Sequence, residues 1–241
     1  MNSAQPTSAW RMHDQFPLPS PEKAQNTLGI SSTLPWVNRD QQAVRAAETA
    51  ITSRSVGQPV KVDQKDITGH VPAKKADINV ANKLGQTPLH RAALDGNEEI
   101  VRFLLTQNTD INCQDRMGRT PLHWAVRNRH EGIVRLLLEK DADVNVVDGL
   151  VETPLYKAVK EGYMDMATVL LDSGANANIL DVCETTPLFQ AVRSGNEEMV
   201  RLLLEKKADI NIGDSVGRAP LSVAKEKGNE TIVQLLQSQK K

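Results

Sequence analysis

The stretch Thr120-Pro121-Leu122-His123-Trp124-Ala125 has a near-copy on either side of it. Thr87-Pro88-Leu89-His90-Arg91-Ala92 comes before, and Thr153-Pro154-Leu155-Tyr156-Lys157-Ala158 comes after. The motif continues as Thr186-Pro187-Leu188-Phe189-Gln190-Ala191 and fades to Ala219-Pro220-Leu221-Ser222-Val223-Ala224. The five prolines are 33 residues apart every time. A fixed period of that size is the signature of a repeat architecture.

The chemistry of one unit follows from its residue types. Thr before Pro places an N-cap ahead of the residue best suited to the first helical position. Leu and Ala line one face of a short helix. Gly96, Gly162, Gly195 and Gly228 then supply a left-handed stop, with Arg129 the exception. A second helix carries Ile133, Val134, Leu136, Leu137 and Leu138 or their equivalents at spacings of three and four. The first four units close on a polar turn ending in Asn112, Asn145, Asn178 and Asn211. Two short helices cannot bury their apolar faces alone, so successive units must stack.

Five copies of Thr-Pro-Leu-His-x-Ala in strict register, over residues 76–241, resemble the ankyrin repeat. The resemblance implies an all-α solenoid of helix-turn-helix units with projecting β-hairpin tips and a concave groove. It further implies protein binding rather than catalysis. It makes Asn112, Asn145 and Asn211 candidate hydroxylation acceptors, and it gives His90 and His123 a structural role between units. Two tips depart from the pattern: the Gly of Gly85, Gly118 and Gly217 becomes Val151 and Glu184. A non-Gly residue is disfavoured at positive φ, so those tips are expected to differ in backbone geometry. In the last unit Gln237 replaces Leu105, Leu138, Leu171 and Leu204, as a terminal cap requires.

Outward from the repeats the grammar changes. Seven of the 12 prolines lie within the first 75 residues, among Ser, Thr, Gln and Asn, with apolar residues scattered without period. Such a segment buries too little surface to offset chain entropy. Residues 1–37 are read as a disordered tail and 38–75 as a partly helical linker. Within that linker Val44, Ala47 and Ile51 suggest a helix over 38–53, a candidate cover for the first unit. The overall content of 39% hydrophobic and 3% aromatic residues fits a chain that is part disordered and part small aliphatic.

Charge and cysteine usage narrow the function classes. Lys plus Arg is 29 against 30 for Asp plus Glu, which disfavours nucleic acid and anionic membrane as partners. Residues 1–11 hold no apolar run, and no stretch approaches the ~18 apolar residues of a membrane span. Cys113 and Cys183, at different repeat phases, form no disulfide framework. The expectation is a monomer in the cytoplasm and/or the nucleus, with no metal and no cofactor. No spacing matches a zinc site, a phosphate loop or a nucleophile elbow, so an enzyme is not expected. His130 heads a helix and is read as solvated.

The inner helix carries the candidate site. Four residues after each motif Thr, or after Ala219, come Arg91, Trp124, Lys157, Gln190 and Val223. Seven residues after it come Leu94, Arg127, Lys160, Arg193 and Glu226. Positions three apart share a helix face, the one that lines the concave groove in ankyrin-like solenoids. Arg127, Lys160 and Arg193 then form a basic row with no partner supplied by the repeat, and Trp124 is its central anchor. The outer helices carry Glu98/Arg102, Glu131/Arg135 and Glu197/Arg201 as solubilising pairs. The function expected is a non-catalytic scaffold or adaptor that binds a protein partner through the concave groove and hairpin tips, with Arg91, Trp124, Arg127, Lys157, Lys160, Gln190 and Arg193 meeting an acidic protein surface. The alternatives are an inhibitor masking a target surface, or an accessory protein of a biosynthetic or effector pathway.

Overall fold

In the computed structural model, residues 78–107 and 109–239 are described. They form ten α-helices in five pairs: α1 (Pro88–Asp95), α2 (Glu98–Leu105), α3 (Pro121–Arg127), α4 (Glu131–Glu139), α5 (Pro154–Glu161), α6 (Met164–Asp172), α7 (Pro187–Ser194), α8 (Glu197–Glu205), α9 (Pro220–Glu226) and α10 (Glu230–Ser238). Each pair begins at the repeated proline, and the all-α repeat solenoid expected from the sequence is what forms. The tail over 1–37, the linker over 38–75 and its 38–53 helix lie outside the described residues.

The inner helices α1, α3, α5, α7 and α9 pack on one another in chain order, and each outer helix packs on its own inner partner. Ala92, Ala125, Ala158, Ala191 and Ala224 are buried where inner helices approach, since a small side chain allows close contact. Leu104, Leu137, Leu170, Leu203 and Leu236 share one phase of the outer helices and are all 0% exposed. Full burial of such a side chain is worth about 1.5–3 kcal/mol. Gln237 is exposed, so the last unit turns a polar position outward. That unit also lacks the capping Thr, and Ala219 offers its helix no side-chain hydrogen bond.

The inner-helix N-termini are capped in a way that links units. In α3 the Thr120 hydroxyl accepts the N–H of His123, while Nδ1 of His123 accepts the N–H of Thr120 at 3.1 Å. Nδ1 is therefore the acceptor, the ring proton sits on Nε2, and it is donated to the Glu152 carbonyl of the next unit at 3.2 Å. His90 repeats this with Arg119 O at 2.9 Å. Tyr156 reaches the next unit by its hydroxyl instead, to Asp181 at 2.7 Å and Thr185 at 2.8 Å. In the turns between units, Asn112, Asn145 and Asn178 each accept the backbone N–H of the residue 31 positions on, at 2.8–2.9 Å.

The tips are loops rather than paired strands, and no strand occurs among the described residues. One backbone hydrogen bond closes each neck, as from Asp115 N to Arg119 O at 2.9 Å, which is too short a ladder for a sheet. The side chain that shapes the tip is an Asp or Asn five residues before the motif. Oδ1 of Asn82, Asp115, Asp148, Asp181 and Asp214 each accepts two backbone N–H groups, two and four residues on. This clamp holds Val151 and Glu184 at φ 58, close to Gly118 at φ 72. The expectation of a different backbone at these two tips is therefore corrected: the clamp imposes the left-handed conformation whatever the residue.

What changes at Val151 and Glu184 is the neighbour. A Cβ on Gly85 would meet Arg116 N at 2.8 Å, and one on Gly118 would meet Gly149 N at 3.0 Å. Glycine is required there because the next tip docks by its backbone, Arg116 N to Leu84 O at 2.9 Å and Gly149 N to Met117 O at 2.7 Å. No equivalent bond joins the third tip to the fourth, or the fourth to the fifth, among the described residues. A side chain is sterically admissible where that docking is absent.

Candidate functional site

The two phases predicted to share the groove face separate in the structure. Seven residues after the motif start, Arg127, Lys160, Arg193 and Glu226 are exposed and Leu94 is half-buried. Four residues after it, Arg91 is exposed and Lys157 half-buried, but Trp124, Gln190 and Val223 are buried. In that phase Trp124 lies against its own unit's tip, through Asp115 and Arg119.

Trp124 is accordingly no exposed anchor, being 9% exposed. Its indole N–H donates to Asp115 Oδ2 at 3.1 Å, and its ring lies 4.0 Å from the Arg119 guanidinium carbon and 5.7 Å from that of Arg127. Cations over an indole face are held by the ring quadrupole. Trp124 thus positions two arginines.

The row is also not free of built-in partners. Lys160 pairs with Glu152 at 2.7 Å, Lys157 with Glu161 at 2.5 Å and Arg91 with Asp95 at 2.7 Å. Arg193 donates to Gln190 Oε1 at 2.6 Å. Arg127, Arg193 and, on a tip, Arg116 have no carboxylate partner among the described residues. Of the outer pairs, Glu98–Arg102 and Glu131–Arg135 close, while Glu197 and Arg201 do not.

Of the predicted site residues, Arg127, Lys157 and Lys160 converge on one groove of about 380 Å³, between the tips of the second and third units and helices α3 and α5, whereas Arg91, Trp124, Gln190 and Arg193 do not line it. Arg127, Lys157 and Lys160 come from the helices, and Arg116, Met117 and Leu150 from the tips. Its carboxylates are committed: Asp148 to its own loop, Glu152 to Lys160. A more open depression of about 570 Å³ lies between α4 and α6, where Glu131 already neutralises Arg135.

The apolar component was missed by reading the inner helix alone. The residue before each tip glycine or its replacement is Leu84, Met117, Leu150, Cys183 and Val216, again at intervals of 33. Leu84, Met117 and Leu150 are 62%, 57% and 53% exposed. The signal was present in the sequence as an apolar residue in phase at a loop apex, where turn chemistry favours polar ones.

The titratable groups do structural work. Burial lowers the pKa of His90 and of His123, against the carbonyls that accept their protons. Cys113 Sγ lies 3.7 Å from His90 Nδ1, but burial raises its pKa and Nδ1 is engaged by Thr87 N. A thiol kept protonated beside a base already occupied is not an activated nucleophile. Burial alone would raise Asp181, yet the Thr185 N–H and the Tyr156 hydroxyl hold it below the usual carboxylate value. His130 donates its Nε2–H to Leu94 O, 3.1 Å away, so it is tied to the preceding unit rather than solvated. No group of three metal-ligating side chains occurs among the described residues, and none of their helices is long and apolar enough to cross a membrane.

A family model described as ankyrin repeats in three copies matches residues 62–148 and 155–241. The chain belongs to the ankyrin-repeat family, whose members are generally protein-interaction modules and typically not enzymes. The first match begins inside the 38–75 segment. Comparison with curated proteins gave no match.

Proposed function

We propose that this protein is a non-catalytic scaffold or adaptor that binds an acidic protein surface through the groove of its second and third units. The observation that carries this reading is the convergence of the uncompensated Arg116 and Arg127 with exposed Met117 and Leu150 in one groove. Cations without partners attract an anionic surface, and exposed apolar side chains give it area to bury. Lys157 and Lys160 line the same groove, each paired with a glutamate, and Arg193, without a carboxylate partner among the described residues, lies one unit on; Arg91 and Gln190 do not line it. Trp124 acts through the arginines it positions. The two unpaired thiols suit the cytoplasm and/or the nucleus.

The test uses the full chain, wild type and Arg127→Glu/Arg193→Glu, as parallel bait. Proteins retained by the wild type and lost from the variant support the reading. An identical set bound by both would place recognition elsewhere and overturn it.

A further inference from the structure

Each tip carries its exposed apolar residue at the same phase, so the spacing of units sets the spacing of contacts. Packed helices lie about 8–10 Å apart, and each tip is carried by its own helix pair. Leu84, Met117 and Leu150 therefore form an apolar row with a step of about 10 Å, tied by the Arg116–Leu84 and Gly149–Met117 backbone bonds.

A partner segment must repeat its apolar side chains at that step and on one face. An extended strand advances about 10 Å in three residues, but its third residue points to the opposite face. An α-helix advances about 10.5 Å in seven residues and returns to within about 20° of the same face. The helix satisfies both conditions and the strand only one. Beside the apolar row, Arg116 and Arg127 ask for carboxylates on the adjoining edge of that helix. Val151 adds a further sign: it is a β-branched residue held at φ 58, 40% exposed, next to Leu150. Glycine would relieve that backbone, so the apolar surface of Val151 is kept at a conformational cost, as is common at binding sites.

Resting on the proposed groove, we infer that its occupant is an acidic amphipathic α-helix lying along the stack, with apolar residues every seven positions against Leu84, Met117 and Leu150. The probe is a labelled designed 24-residue helical peptide (about 36 Å long) with Leu at heptad spacing and Glu flanking it, titrated with the full chain by fluorescence anisotropy. It is compared with a scrambled peptide of the same composition and with polyglutamate. The heptad peptide is expected to bind at least about tenfold more tightly than either, and Leu150→Asp or Arg127→Glu to weaken it about tenfold or more. Val216→Asp, on the last tip, is expected to leave it unchanged, with melting curves confirming that each variant folds. Equal binding of all three peptides that Arg127→Glu abolishes would overturn the helix and leave the groove standing. A heptad peptide that binds no better than the others and ignores both Leu150→Asp and Arg127→Glu overturns the helix; the bait experiment then decides the groove separately.

Discussion

Asp115 is the residue on which the second tip and its groove most depend, and its removal has a size that can be worked out. Its side chain is 1% exposed and accepts from four directions: Met117 N at 2.8 Å, Arg119 N at 3.0 Å, Arg119 Nε at 3.2 Å and Trp124 Nε1 at 3.1 Å. Asp115→Ala leaves the buried indole N–H and the mostly buried Arg119 guanidinium without their acceptor. Removing one partner of a buried ion pair costs about 3–5 kcal/mol. Asp115→Asn keeps the Oδ1 acceptor, as Asn82 does in the first tip, where it holds Leu84 N at 2.8 Å and Gln86 N at 3.0 Å. Its amide then presents donors to the donors of Trp124 and Arg119, a loss of about 1–3 kcal/mol. Urea denaturation followed by far-ultraviolet dichroism should rank the proteins wild type, Asn, Ala. An Ala variant within about 0.5 kcal/mol of wild type, the range of ordinary surface changes, would refute the clamp. So would an Asn variant as unstable as Ala.

Three further outcomes are expected. Since burial holds His90 and His123 below their usual pKa, the unfolded chain takes up protons first as pH falls. Their stabilisation is complete above about pH 6.5 and is lost below it, so the urea midpoint should drop between pH 7 and 5.5 while proton NMR shows both rings still neutral at the upper end of that window. Val151→Gly should stabilise the protein by about 0.5–1 kcal/mol, the relief of a left-handed β-branched residue less the added entropy of the unfolded chain, and an unchanged or lower melting temperature would count against the strain. Amide exchange should be slowest in α3, α5 and α7 and fastest in α9 and α10, where Ala219 gives no cap and no further described helix packs on the pair; uniform protection would show that this unit is not weaker.

The helices were legible because each is written twice, once in the Thr-Pro start and once in the aliphatic period. Their phase even assigned Leu137 to the core. The groove was half legible. Counting along α3 put Trp124 and Arg127 on one face, and in an isolated helix they would share it. A 33-residue count cannot show that the unit's own tip folds down on Trp124 and leaves Arg127 exposed. The ion pair of Lys160 with Glu152 spans the length of α5, joining its last turn to the residue before its cap, eight apart, a spacing the three- and four-residue helical pattern does not flag. The Asp/Asn clamp and the apolar tip row were present at period 33 throughout, but both lie in loop segments, where polarity alone carries little information about contacts.

The drift of the motif along the chain has a physical order. At the capping position His90 and His123 give way to Tyr156, then Phe189, then Ser222, which bonds only to Ala219 of its own unit. Polar links from inner helix to next unit thus end at the third helix. The tip glycine gives way to Val151 and Glu184 where docking between tips ends. The Asn ladder ends at the same junction, between the third and fourth units, with Asn178 and Asp209. Side-chain links therefore join the first four units, and backbone docking between tips adds a further tie only among the first three. A groove built at the doubly tied end loses little conformational freedom when occupied, and less entropy lost is more affinity kept. Gly85 and Gly118, by admitting a neighbour's backbone, and Val151, by presenting a side chain where no neighbour docks, mark where that rigid segment stops and the partner-facing surface begins.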